Sequence, residues 1–311
     1  MSAQGFRPAC KRWLMEFLQI MNERQNLPNP VRERLPASRG LSWLLQSLAL
    51  IRRQPARLLF MAVLLQLILG LSQVPVLGML VILALPAFSA GLLEAFSRVE
   101  TGRLLPSSTL FVPLTEKPAN GRLLLLGVLM FAVASISVLL VMGGSEAQLE
   151  AGLLQRIEQG DTTAIAELDP VLTSRILLSA LLAVSISGTL SFLAIPLIWF
   201  HKLPMPRALM LGLQALLRHW QAFLVLGLGM AVLLLPVMVF FFMMMKLASA
   251  ISPLSLVFVV LLMLGALLFQ LVVLATQYFA CKDIFGPGPG QGRESTGPAG
   301  DDNPDDGQLL A

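Results

Sequence analysis

The chain has 311 residues, 56% of them hydrophobic and only 13% charged, with a mean hydropathy of +0.78 and a formal net charge of +4. Soluble proteins carry roughly 25% charged residues, so this composition cannot cover a soluble fold. Disorder, collagen and a disulfide scaffold are equally excluded as descriptions of the whole, which leaves an all-α integral membrane protein.

Residues 1–34 read as a flexible or amphipathic extension, in which Lys11 to Glu23 has the pattern of a short amphipathic helix. The extension lacks the apolar core and small-residue cleavage site of a cleavable signal peptide. Met15 and Met21 are alternative starts, and translation is expected to begin at Met21. A polytopic membrane domain, 35–285, follows. It opens with an amphipathic helix over 41–54, in which Leu41, Leu44, Leu45, Leu48 and Ile51 share a face at 100° per residue. Pro55 ends it, and such a helix would lie among the lipid headgroups.

A spanning helix needs about 20 apolar residues. Leu58 to Leu93 contains no Asp, Glu, Lys, Arg or His over 36 residues, which is too long for one span and slightly short for two. Pro75 interrupts it, so the expected element is a tight hairpin, 58–73 and 76–96. Its first arm either crosses the bilayer or turns back within it, and both forms emerge on one side. The 94–122 loop carries Glu94, Glu100 and Glu116 beside Arg98 and Arg103, which read as alternating charges at an interface. Leu123 to Ser145 is a clean span.

The 144–175 loop should hold a surface helix, with Ser145 and Gln148 as its capping box. Ile176 to Phe200 is the next span. A second amphipathic helix, 207–221, places Leu209, Met210, Leu213, Leu216, Leu217 and Trp220 on one face. It aligns with the first at an offset of 166, pairing Leu50 with Leu216 and Arg52 with Arg218, which suggests a parallel repeat of interfacial helix plus hairpin. Ala222 to Met245 and Leu247 to Cys281 complete about six transmembrane helices, accompanied by cytoplasmic interfacial amphipathic helices. Residues 286–311, rich in Gly, Pro and Asp, form a disordered acidic tail. Gly286 to Gly292 lacks the Lys-Ser/Thr of a phosphate loop.

Orientation follows from the loop cations. Residues 1–57, 94–122, 201–221 and the tail after 281 hold ten, four, three and two Lys or Arg, nineteen in all, against three in the 144–175 loop and at Lys246. Positive charge marks the cytoplasmic side, so both termini are expected in the cytoplasm and the 144–175 loop, with its six acids, outside. Anionic lipid headgroups are the expected counter-charge of the basic loops. No soluble basic domain exists for a nucleic acid.

Chemistry is sparse. Cys10 and Cys281 fall on the reducing side, where a disulfide is not expected. His201 and His219 sit at span boundaries beside aromatics and read as interfacial side chains. Two Cys and two His, scattered, make no zinc site, and no Ser-His-Asp set can be assembled. Lys246 is the one ionisable residue within the expected spans, near an outer end. The group Ser185-Ile-Ser-Gly-Thr-Leu-Ser191 suits close helix packing, with a polar substrate path as the alternative. No catalytic, cofactor-binding or metal-ligating residue is assigned, and no cofactor is expected.

Leu35-Pro-Ala-Ser-Arg-Gly-Leu-Ser-Trp43, Ile51-Arg-Arg-Gln-Pro55, Leu85-Pro-Ala-Phe-Ser-Ala-Gly-Leu92 and Tyr278-Phe-Ala-Cys-Lys-Asp-Ile-Phe285 together resemble an uncharacterised family of bacterial polytopic inner-membrane proteins. That family is distantly similar to membrane domains attached to glycerophosphodiester phosphodiesterases. The resemblance covers roughly 35–285, implies interfacial helices combined with short hairpins, and carries over no catalytic residue. The catalytic phosphodiesterase domain has no counterpart. The expected function is that of a multi-pass inner-membrane protein with a non-enzymatic accessory or scaffolding role, open to a membrane-protein partner or a second copy. The alternative is a transporter or permease subunit for a small molecule or lipid.

Overall fold

The computed structural model describes residues 35–71, 74–142, 170–248 and 254–287. The expected N-terminal extension, the helix of the 144–175 loop, Cys10 and the tail beyond residue 287 lie outside them. The described residues are about 90% helical, with no strand among them. In chain order the helices are α1 (Ser38–Arg53), α2 (Pro55–Gly70), α3 (Pro75–Glu100), α4 (Val112–Thr115), α5 (Ala119–Met142), α6 (Pro170–Phe200), α7 (Met205–Arg218), α8 (Trp220–Ala248) and α9 (Leu254–Phe285). A 3₁₀ turn, Ser107–Phe111, precedes α4. Five helices, α3, α5, α6, α8 and α9, are long and apolar enough to cross a membrane. The chain is an all-α, multi-pass membrane protein.

The expected hairpin at Pro75 is present, but its arms are unequal. α2 has 16 residues and α3 has 26. At 1.5 Å per residue α2 is about 24 Å long, short of a hydrocarbon core of about 30 Å. α3 continues four residues past the expected end at residue 96, which brings Glu100 into the helix with Glu94. Two of the three acids read as loop charges, Glu94 and Glu100, therefore belong to its last two turns.

α3 is the central post. More than half of its apolar window, 56%, is buried, against 11% for α6 and for α8. The burial is concentrated in its second half, where Ala87, Ala90, Leu92, Leu93, Ala95, Phe96 and Val99 are inaccessible or nearly so. Pro86 stands where this half begins. Around it pack α2, the 3₁₀ turn, α4, α5, α6 and α9. Two glycines permit the closest approaches. A Cβ on Gly91 would meet the Leu110 backbone, and one on Gly127 of α5 would meet the Leu83 carbonyl of α3. Elsewhere the spans stay apolar and exposed, as Leu140, Val184 and Val232 are, because lipid is as apolar as the side chains that face it.

The two short helices divide their residues between protein and the outer surface. α1 buries Gly40, Trp43, Leu44, Ser47, Leu50 and Ile51 against α8 and α9, while Leu41 and Leu45 point outward. α7 buries its small residues, Ala208, Gly212 and Ala215, against α6. Its bulky ones, Met210, Leu213 and Leu217, are exposed. The break between α7 and α8 at His219 matches that between α1 and α2 within a residue at the offset of 166. The packing does not repeat, since α1 lies on α8 and α9 whereas α7 lies chiefly on α6.

Candidate functional site: a polar seam at the basic end

Four acids lie among the described residues: Glu94, Glu100, Glu116 and Asp283. All four stand at one end of the helices, with Arg39, Arg53, Arg98, Arg122, Lys202 and Lys282, and each is held by a donor from another element. The cations make this the basic end of the molecule.

Glu94 is placed by the last turns of α3, where Arg98 lies one turn on and meets Oε1 at 3.1 Å. Its Oε2 accepts the indole N–H of Trp199, from α6, at 3.2 Å. Glu100 ends the same helix and accepts both Tyr278 OH and Lys282 Nζ, from α9, at 2.6 Å. Tyr278 is buried, and a buried phenol requires such a partner. The Glu100 carbonyl accepts Arg53 of α1 at 3.4 Å. Asp283 accepts the Trp43 indole N–H at 3.0 Å and lies 3.7 Å from Arg39. Trp43 in turn stacks obliquely on Phe223, 5.5 Å between centroids.

Lys202 joins α6 to α5. Its Nζ meets Glu116 at 2.6 Å and lies 4.1 Å over the Trp199 ring. Its carbonyl accepts Arg122. Its φ of 53° is in the left-handed region, which costs a non-glycine residue about 1–2 kcal/mol. The contacts made by side chain and carbonyl hold it there.

The histidines are more than interfacial decoration. His219 is 3% exposed, and its Nδ1 accepts the Leu35 N–H at 3.2 Å, so its own proton belongs on Nε2. Burial lowers its pKa, and neighbouring Arg218 lowers it further against an opposing pull from Asp283. Burial also lowers the pKa of His201, partly offset by a hydrogen bond to the Gly286 backbone. Cys281 is buried and free. Among the described residues no three His, Cys, Asp or Glu are grouped to hold a metal.

The Ser185–Ser191 group, expected to pack helix on helix, is covered only in part, with the Ser187 Oγ buried. Gln277 donates to the Ser191 carbonyl at 3.3 Å, whereas Gly188 faces open space. Charge patterning singles out Glu94, Glu100 and Glu116 but not their partners. Trp199 and Tyr278 lie toward the ends of spans and Trp43 in the short helix α1, positions where aromatics ordinarily face lipid headgroups. Here each turns inward to a carboxylate. The seam can cross-brace α1, α3, α5, α6 and α9, and no carboxylate in it is left without a donor.

No family model matches the chain, and no curated protein or solved structure is significantly similar to it.

Proposed function

We propose that this is a non-enzymatic accessory or scaffold protein of a bacterial inner membrane, with six membrane-inserted helices, two interfacial helices (α1 and α7), and both termini in the cytoplasm. The observation that carries the reading is the engagement of every described acid by a cation, indole or phenol from a different element. General acid–base chemistry needs a carboxyl group aimed at a substrate, and these are aimed at one another's helices. The nineteen-to-three charge bias and the resemblance over 35–285 support the location and orientation. Anionic headgroups would face the basic end, and a membrane-protein partner or second copy would use the apolar flanks.

A scaffold makes a lasting complex. Photo-crosslinkers placed at exposed Leu181 or Leu235 in cells should capture one recurrent partner or a second copy. Crosslinking to lipid alone from every exposed face would overturn the scaffold reading. Prolines inside three long helices, Pro86, Pro196 and Pro236, favour a transporter or permease subunit as the second reading, because each removes a helical hydrogen bond and permits a bend. Solute or lipid flux in proteoliposomes, abolished by Glu94→Gln, would decide for it.

A further inference from the structure

One group of cations has no carboxylate partner among the described residues. Arg52, Arg53 and Arg57 stand within six positions at the corner between α1 and α2, all exposed. Among the described residues Arg53 reaches only the Glu100 carbonyl, and Arg57 only Gln54 Oε1 at 3.5 Å. Arg52 has no hydrogen bond, ion pair or ring contact among the described residues. The described acids are already paired with Arg39, Arg98, Lys202 and Lys282. No described carboxylate neutralises this corner. Nor does Arg57 serve its own helix, since it stands in the first turn of α2, where a cation opposes the helix dipole, and that turn contains no acid.

The surface below Arg57 is apolar. Phe60, Val63 and Leu67 are 58%, 38% and 66% exposed, and their spacing of three and four residues puts them on one stripe of α2. The opposite stripe, Leu58, Met61, Ala62 and Leu65, is fully buried. A positive cluster capping an exposed apolar stripe on one helix has the charge and polarity of an anionic glycerophospholipid, phosphate uppermost and acyl chain beneath. We propose that Arg52, Arg53 and Arg57, with Phe60, Val63 and Leu67, form a binding site for one anionic phospholipid. Free phosphate or an acidic peptide would use the arginines but not the stripe. The proposal rests on the basic end facing an anionic leaflet and narrows that general attraction to one corner.

The test is native mass spectrometry of the full chain in detergent, titrated with phosphatidylglycerol and with phosphatidylcholine. Each arginine near an anionic surface contributes about fivefold in affinity, so R52Q/R53Q/R57Q should lose at least about tenfold for phosphatidylglycerol and little for phosphatidylcholine. A control removing as many charges, K117Q/R175Q/R207Q, should bind as the parent does. Millimolar inorganic phosphate should not displace the lipid. If the triple variant unfolds, R57Q alone should lose about fivefold. The site is overturned if the arginine variants stay within twofold of the parent, if the control loses as much, or if phosphate competes. Reporter fusions that put the basic end outside would overturn the orientation instead, without altering the binding result.

Discussion

Lys202 shows how a single residue can carry strain and a contact at once, and magnitudes decide between them. Its ion pair with Glu116 is 43% exposed on both sides, and an exposed pair contributes about 0–1 kcal/mol. Its left-handed backbone costs about 1–2 kcal/mol. Lys202→Gly removes both and should leave the melting temperature in detergent unchanged or slightly raised. Lys202→Ala keeps the strain and loses the pair, so it should melt below the glycine variant by the equivalent of about 1 kcal/mol. Equal melting of the two would show that the backbone, not the side chain, had relaxed. His219 yields a pH dependence. Its folded pKa lies below the ordinary 6.5, so the unfolded chain takes up the proton first as pH falls. Its contribution to stability is complete above pH 6.5 and is lost as pH drops below it. His219→Gln keeps an acceptor for the Leu35 N–H without titrating. Thermal unfolding from pH 8 to pH 5 should therefore be flatter for the variant. His201, shifted the same way, leaves a residual slope that His201→Gln in the same background should remove.

At the scale of the helix, close approach is set by glycine and not by the stripe that the sequence advertised. Ser185 to Ser191 has the small-residue spacing of a packing face, yet Gly188 has open space around it, while Gly40, Gly91 and Gly127 lie against the backbone of another element. Nothing in the chain near Gly127 marks it out, because the partner, Leu83, is 44 positions away and the approach depends on how α3 and α5 cross. Gly127→Ala should lower the melting temperature, through overpacking of about 1–3 kcal/mol. Gly121→Ala, on the same helix with nothing within 4 Å, should leave it unchanged or raise it. A fall for both would assign the effect to the helix itself rather than to the crossing. Spans and hairpin were legible because an apolar run and a proline are local signals. The seam was not, since a carboxylate and an indole 105 positions apart, Glu94 and Trp199, leave no trace of each other in either neighbourhood. Which residues of α1 and α7 meet protein was not legible for a related reason. Periodicity reports which residues are apolar, but in a membrane protein both lipid and protein accept them, and the tightest contact goes to the small residues.

For the whole molecule, the seam determines topology more firmly than hydropathy does. Arg53 at the start of the α2–α3 hairpin reaches Glu100 at its end. Glu116, before α5, pairs with Lys202, after α6. His219, before α8, and Asp283, at the end of α9, both hold the segment that leads into or forms α1. Three hairpins therefore open toward one common end, whatever the depth to which the turn of the first one reaches. That depth follows from length. α2, at about 24 Å, falls short of a core of about 30 Å, so Val74 should lie within the bilayer rather than at its far surface. In a chain with Cys10 and Cys281 replaced, Val74→Cys should resist a membrane-impermeant maleimide added to intact cells, while Gly160→Cys should react. Reporter fusions at 110, 210 and the C-terminus should all report the cytoplasm, and a fusion at 160 the opposite face. Rapid labelling at Val74 would mean that the membrane thins around α2 or that α2 continues beyond Gly70, making the first hairpin a full crossing. A periplasmic signal from 110 or 210 would contradict the common end itself, since Glu116 and Lys202 could not then remain paired.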